Sequence, residues 1–183
     1  MKKILLTILF INFTNFAFSS IKDDVINSLI KTENFSFNFE QNINGKVQTG
    51  NCIIEYPKKI FCKYNKPVSK ILVSNGNSLV IKINSSGYYR YAIKNTPLNY
   101  ILDKNFLINE IKSINERIVD NKFINFTIFK DGNEINIFFD KDNYNLIGWQ
   151  TLDIYQNLNI TFITSLKKNL VLKKNVFKLP PVN

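Results

Sequence analysis

The chain carries two cysteines and no histidine in 183 residues, and these two facts bound the chemistry open to it. Without imidazole it lacks the usual general base, the usual activator of a nucleophile and the commonest metal ligand. Two thiolates alone do not complete a tetrahedral zinc site. Catalysis and cofactor binding are therefore not expected, and the thiol chemistry rests on Cys52 and Cys62. Pro57 lies midway between them. A turn centred there sets the two cysteines opposite each other, where Cβ atoms stand about 4.5–5.5 Å apart. One structural disulfide is the expectation. The rival, a catalytic dithiol, lacks Cys-x-x-Cys spacing and a helix N-terminus to acidify a thiol.

The elements that hold these residues begin after a targeting segment. Lys2 and Lys3 precede a mostly apolar run from Ile4 to Phe18, and Ala17-Phe18-Ser19 offers small residues for cleavage before Ser20. The run is short and spotted with Asn and Thr, which favours removal over retention as an anchor. Residues 1–19 thus read as a signal peptide and residues 20–183 as one exported domain. No cysteine stands at the cleavage point, so no lipid attaches there. The net charge of +10 falls to +8 when Lys2 and Lys3 leave. That balance suits an anionic membrane surface or an acidic protein partner, or reflects a composition rich in Lys, Asn and Ile. Nucleic acid is not an expected partner: export removes the chain from it. Lys58-Lys59, Lys167-Lys168 and Lys173-Lys174 are also separate doublets, not a stripe.

Lys22–Thr32 carries Val25, Ile26, Leu29 and Ile30 at helical spacing, with Asp23 and Asp24 in the first turn. From Asn34 the period becomes two, and Phe35, Phe37 and Phe39 share one strand face. Asn44-Gly45 signals a hairpin into Lys46–Tyr56, and Pro57-Lys58 turns the chain into Lys59–Tyr64. Strands follow at Lys70–Ser74, Ser78–Asn84 and Gly87–Ala92. The pattern then switches. Thr96 offers an N-cap, Pro97 suits the first helical position, and Leu98, Ile101 and Leu102 form one stripe. So short a helix is unstable alone and must dock on an apolar surface. Phe106-Leu107-Ile108 is a second short apolar piece. Strands resume at Ile111–Val119, Phe123–Lys130, Ile135–Asp140, Leu146–Asp153 and Leu158–Thr164. About eleven strands with short connections make one antiparallel meander, which curls towards a barrel.

Several pieces in order carry a resemblance. They are Phe39-Glu-Gln41, Gly50-Asn-Cys-Ile-Ile-Glu-Tyr-Pro57 and Ile60-Phe-Cys-Lys-Tyr64, then Leu72-Val-Ser-Asn-Gly76, Tyr89-Arg-Tyr91, Asn95-Thr-Pro-Leu98 and Leu146-Ile-Gly-Trp149. Across residues 20–183 the chain resembles the LolA family of periplasmic lipoprotein carriers. The resemblance implies a mainly β fold, an unclosed antiparallel β-barrel with an N-terminal helix and short lid helices over a hydrophobic cavity. It implies a periplasmic monomer, without cofactor, that carries lipoproteins by their acyl chains from inner to outer membrane. The implied donor is an inner-membrane ABC transporter of the LolCDE kind. The implied acceptor is a LolB-type receptor, itself a lipoprotein, or the outer membrane. Phe35, Phe37, Phe39, Ile54, Tyr56, Ile60, Tyr64, Leu72, Pro97, Leu98, Ile101 and Leu102 are then expected in the cavity or its lid. Many family members carry an arginine that latches the lid at the position of Tyr56. A phenol donates one hydrogen bond where a guanidinium donates five. A different reading of the same composition is an envelope interaction module whose helices complete an ordinary core.

Overall fold

Ser20 and Asp23 start the first element. The Ser20 hydroxyl accepts from the Asp23 amide at 3.1 Å while the Asp23 carboxylate accepts from the Ser20 amide, a reciprocal cap that opens helix α1 (Ile21–Ile30). The computed structural model describes residues 20–67, 69–84, 87–152 and 156–182. The proposed signal peptide lies outside them. Val25, Ile26 and Leu29 of α1 are buried, whereas Ile30, placed on the same stripe by its spacing, is half exposed where the helix ends.

The strands are β1 (Asn34–Ile43), β2 (Lys46–Glu55), β3 (Lys59–Tyr64), β4 (Lys70–Asn75), β5 (Ser78–Ile83) and β6 (Gly87–Ala92). After a helical segment come β7 (Arg117–Val119), β8 (Phe123–Lys130), β9 (Asn133–Asp140), β10 (Leu146–Leu152) and β11 (Leu158–Lys168). All eleven form one antiparallel sheet in the order β6-β5-β4-β3-β2-β1-β11-β10-β9-β8-β7. Asn44-Gly45 and Asp131-Gly132 turn two of the hairpins with positive φ at both residues, the backbone that matches strand twist. The first and last strands, β1 and β11, thus pair mid-sheet, and the two edges are β6 and β7. The edges do not pair with each other, so the barrel stays open.

Residues 93–116 must travel from one edge to the other, and the direct path crosses the concave mouth. They form a 3-10 turn (Ile93–Asn95), helix α2 (Leu98–Ile101) and helix α3 (Lys104–Ser113). Two local expectations change here. Thr96 does not cap α2: its hydroxyl donates back to the Ile93 carbonyl at 2.8 Å, closing the preceding turn. The strand expected at Ile111–Val119 begins only at Arg117, because Asp103 caps α3 by accepting from the Phe106 amide at 3.1 Å. Leu107, Ile108 and Ile111 then recur on one helical stripe, and all three are buried. No helix among the described residues is long and apolar enough to cross a membrane.

Candidate functional site

Alternation along the strands decides what faces the mouth. On β1, Phe35, Phe37 and Phe39 point inward and are buried. Register carries that parity outward: Phe37 faces Cys52, Cys52 faces Cys62, and Cys62 faces Leu72. The two cysteines are bridged, with Cα atoms 4.1 Å apart. Gly50 stands beside Phe39 on β1 and Tyr64 on β3, whose rings meet edge to face at 4.8 Å. A Cβ there would lie 2.2 Å from the Lys63 carbonyl oxygen and 2.7 Å from the Phe39 ring. The glycine lets the strands and the ring pair close up.

The concave trough has two ends of different character. At one end α1 and α3 seal it. Phe35, Phe37, Ile54 and Tyr56 pack there, with the Phe35 ring 5.5 Å from Phe37 and 5.9 Å from Tyr56. Beyond them a cavity of about 190 Å³ remains under α2. Phe39, Ile60, Tyr64, Leu72, Pro97, Leu98 and Ile101 line it, and the disulfide contributes to its wall. Of the residues expected at the site, Phe35, Phe37, Ile54, Tyr56 and Leu102 do not reach this cavity. Phe35, Phe37, Ile54 and Tyr56 form the closed core beneath the helices, and Leu102, the C-cap of α2, packs into that core from the helical side. Leu98 is half-buried at the mouth, while Ile101 and Leu102 are fully buried.

Sequence reasoning missed the wall supplied by the C-terminal half: Trp149, Thr151, Leu152, Asn159 and Thr161. It also missed Gln41, Leu79, Ile81 and Thr96. The strand alternation of β10 and β11 was the available signal, but nothing local told which face was concave. Among the described residues, those lining the cavity are uncharged. Its polar groups are largely paired. The Tyr64 hydroxyl donates to Gln41 Oε1 at 3.0 Å, and Gln41 Nε2 donates to Thr161 Oγ1 at 3.3 Å. Burial drives the Tyr64 hydroxyl pKa well above its ordinary value, so the group stays a neutral donor. At the rim the Lys70 ammonium lies 4.1 Å from the centre of the Tyr64 ring, and burial lowers its pKa.

The lid is held at its margins. The Lys58 amide donates to the Leu102 carbonyl at 2.7 Å, and its ammonium pairs with Asp103 at 3.3 Å. The Lys104 ammonium donates to the Thr32 carbonyl at 3.0 Å and pairs with Glu33 at 2.9 Å. On the far side the Tyr100 hydroxyl donates to the Asp131 carboxylate in the β8–β9 turn. Tyr56, which the resemblance leads one to expect at the lid, is buried, and the Lys104 ammonium lies 5.9 Å from its ring centre. Burial raises its hydroxyl pKa as well. The polar fastening is thus carried by the neighbours Lys58 and Lys104 and, across the sheet, by Tyr100.

Among curated proteins none matches the chain by sequence. Solved structures match the fold. An uncharacterized conserved protein from Thermus thermophilus is 8% identical with a TM-score of 0.52, covering 87% of this chain and 92% of that one. MucB is 13% identical with a TM-score of 0.51, covering 88% and 64%. A LolA superfamily protein from Nitrosomonas europaea, 7% identical, covers 87% and 96% with a TM-score of 0.48. The family model for the outer membrane lipoprotein carrier protein LolA matches residues 30–180. That span takes in every strand among the described residues, both lid helices and the disulfide, and the chain belongs to the LolA family.

Proposed function

We propose that this protein is a periplasmic carrier that takes lipoproteins from the inner to the outer membrane by enclosing their acyl chains, without catalysis. The observation that supports it is a mainly apolar, uncharged trough in an open sheet, stopped by the chain's own helical segment. The cavity of about 190 Å³ is smaller than the roughly 300–1,000 Å³ of ordinary ligand pockets. Cargo enters only if α2 moves aside. That arrangement solves an energetic problem. Each buried methylene contributes about 0.8 kcal/mol, so one chain of roughly 15 methylenes contributes on the order of 12 kcal/mol. A rigid open pocket would hold several such chains irreversibly. A lid whose Leu98, Ile101 and Leu102 cover the trough when it is empty offsets much of that gain, because cargo displaces protein rather than water.

The donor in this reading is an inner-membrane ABC transporter, and the acceptor is a LolB-type receptor or the outer membrane. The test is purification from an envelope extract followed by mass spectrometry of bound material, with displacement of a neutral apolar dye alongside. Acylated peptides in the eluate and dye displacement by lipopeptide support the carrier. A protein that binds neither dye nor acyl chain is an interaction module instead.

A further inference from the structure

The trough is not apolar throughout. Its hairpin end, opposite the end sealed by α1, gathers uncharged hydrogen-bonding side chains from distant strands. Register places Gln48 opposite Gln41, Gln41 opposite Thr161, and Thr151 opposite Asn159, all on the concave face. Gln41 is satisfied by Tyr64 and Thr161. Two acceptors in this group are not: Gln48 Oε1 and Asn159 Oδ1 are buried without a hydrogen-bond partner among the described residues. Asn159 lines the cavity itself. A buried unmatched acceptor is costly and uncommon, and Asn159 Oδ1, the one that lines the cavity, marks a place prepared for a donor.

We propose that this hairpin end is a subsite for the neutral, N–H-bearing amide that joins an acyl chain to a peptide, with Asn159 accepting from that N–H. The inference rests on the carrier reading and specifies its cargo. The acyl chain runs from the amide towards Ile60, Leu72 and Leu98 under the lid. The peptide leaves past the β1–β2 hairpin. An ester link offers only acceptors and leaves Asn159 Oδ1 unmatched, and a free carboxylate brings a charge into an uncharged cavity.

N-methyldodecanamide and methyl dodecanoate differ in that N–H and in hydration, so the amide-to-ester affinity ratio, read by competition against a neutral fluorescent dye, is compared between wild type and variants, where hydration cancels. The ratio should be about tenfold higher in the wild type than in Asn159→Leu. Asn159→Val should lower it likewise, which keeps the test open if either variant folds poorly. An equal ratio in the wild type and a folded variant overturns the subsite, as expected if a water already completes Asn159. An N-dodecanoyl tripeptide should bind at least as tightly as the simple amide; weaker binding overturns a peptide source in favour of a small lipid amide. If neither amide nor ester displaces the dye, the carrier reading falls and takes the subsite with it, an outcome distinct from a lost preference.

Discussion

Tyr100 shows how one hydroxyl can govern a whole segment. Its ring packs at 5.0 Å on Phe106 of α3, and its hydroxyl donates to Asp131 across the mouth. The phenol's pKa is raised, first by that hydrogen bond, then by burial and by the charge of the carboxylate. A group with a raised folded-state pKa contributes its stabilisation below the unfolded value and loses it as pH climbs through the folded one. The fastening should therefore hold across neutral pH and fail only above about pH 10. Uptake of a neutral dye should rise in that alkaline range in the wild type. Tyr100→Phe should take up dye faster at pH 7 and show a smaller alkaline step. A variant with unchanged uptake and an unchanged pH profile would remove Tyr100 from the lid's control.

At the scale of elements, two fasteners act on different parts of the sheet. Asp103 both caps α3 and pairs with Lys58 at the β2–β3 turn. Loss of a cap costs about 1 kcal/mol, and a partly exposed ion pair adds at most about another. Asp103→Ala should lower the urea midpoint by a corresponding amount and speed amide exchange in α3 while leaving β1–β3 protected. The disulfide sits in the trough wall between β2 and β3 and closes a loop with a sequence separation of 10. In the chain-entropy model that loop is worth roughly 2–3 kcal/mol. Cys52→Ala with Cys62→Ala should lose about that much on denaturant titration, and reductant should no longer shift the midpoint. A much smaller loss would mean that the β2–β3 register holds without the bridge.

For the molecule as a whole, the open meander leaves one apolar surface that the helical segment covers, and in the proposed mechanism cargo competes with that segment for it. An N-acylated peptide added at about 100 times its dissociation constant should raise stability by about 2.7 kcal/mol. Hydrogen exchange should then diverge within one molecule. Amides of residues 98–113 should exchange faster as the helices leave the mouth, while those of β1–β5 should slow as the trough fills. Uniform slowing in both regions would mean that cargo enters beneath a fixed lid, against the displacement mechanism.

The elements themselves were legible because their causes are local. Period two in Phe35, Phe37 and Phe39, the Asn44-Gly45 and Asp131-Gly132 turns, and the placing of Pro57 between the cysteines are all written in short stretches. They yield eleven strands, an antiparallel order and a bridge between opposed positions. Boundaries that depend on competition were not legible. Ile111 suits a strand by type, yet the Asp103 cap and the packing of Leu107 and Ile108 draw it into α3. Nor was the division between core and cavity, since all three phenylalanines of β1 are equally apolar. Phe35 and Phe37 lie under the sealing helices and Phe39 lies past them. The polar end was hidden most completely. Gln41 meets Thr161 across a separation of 120 residues, and Asn159 becomes a cavity group only because β11 pairs with β1. Local chemistry dictates which residues form strands; only closure of the chain on itself decides which side chains share a cavity, because that depends on register between strands remote in sequence.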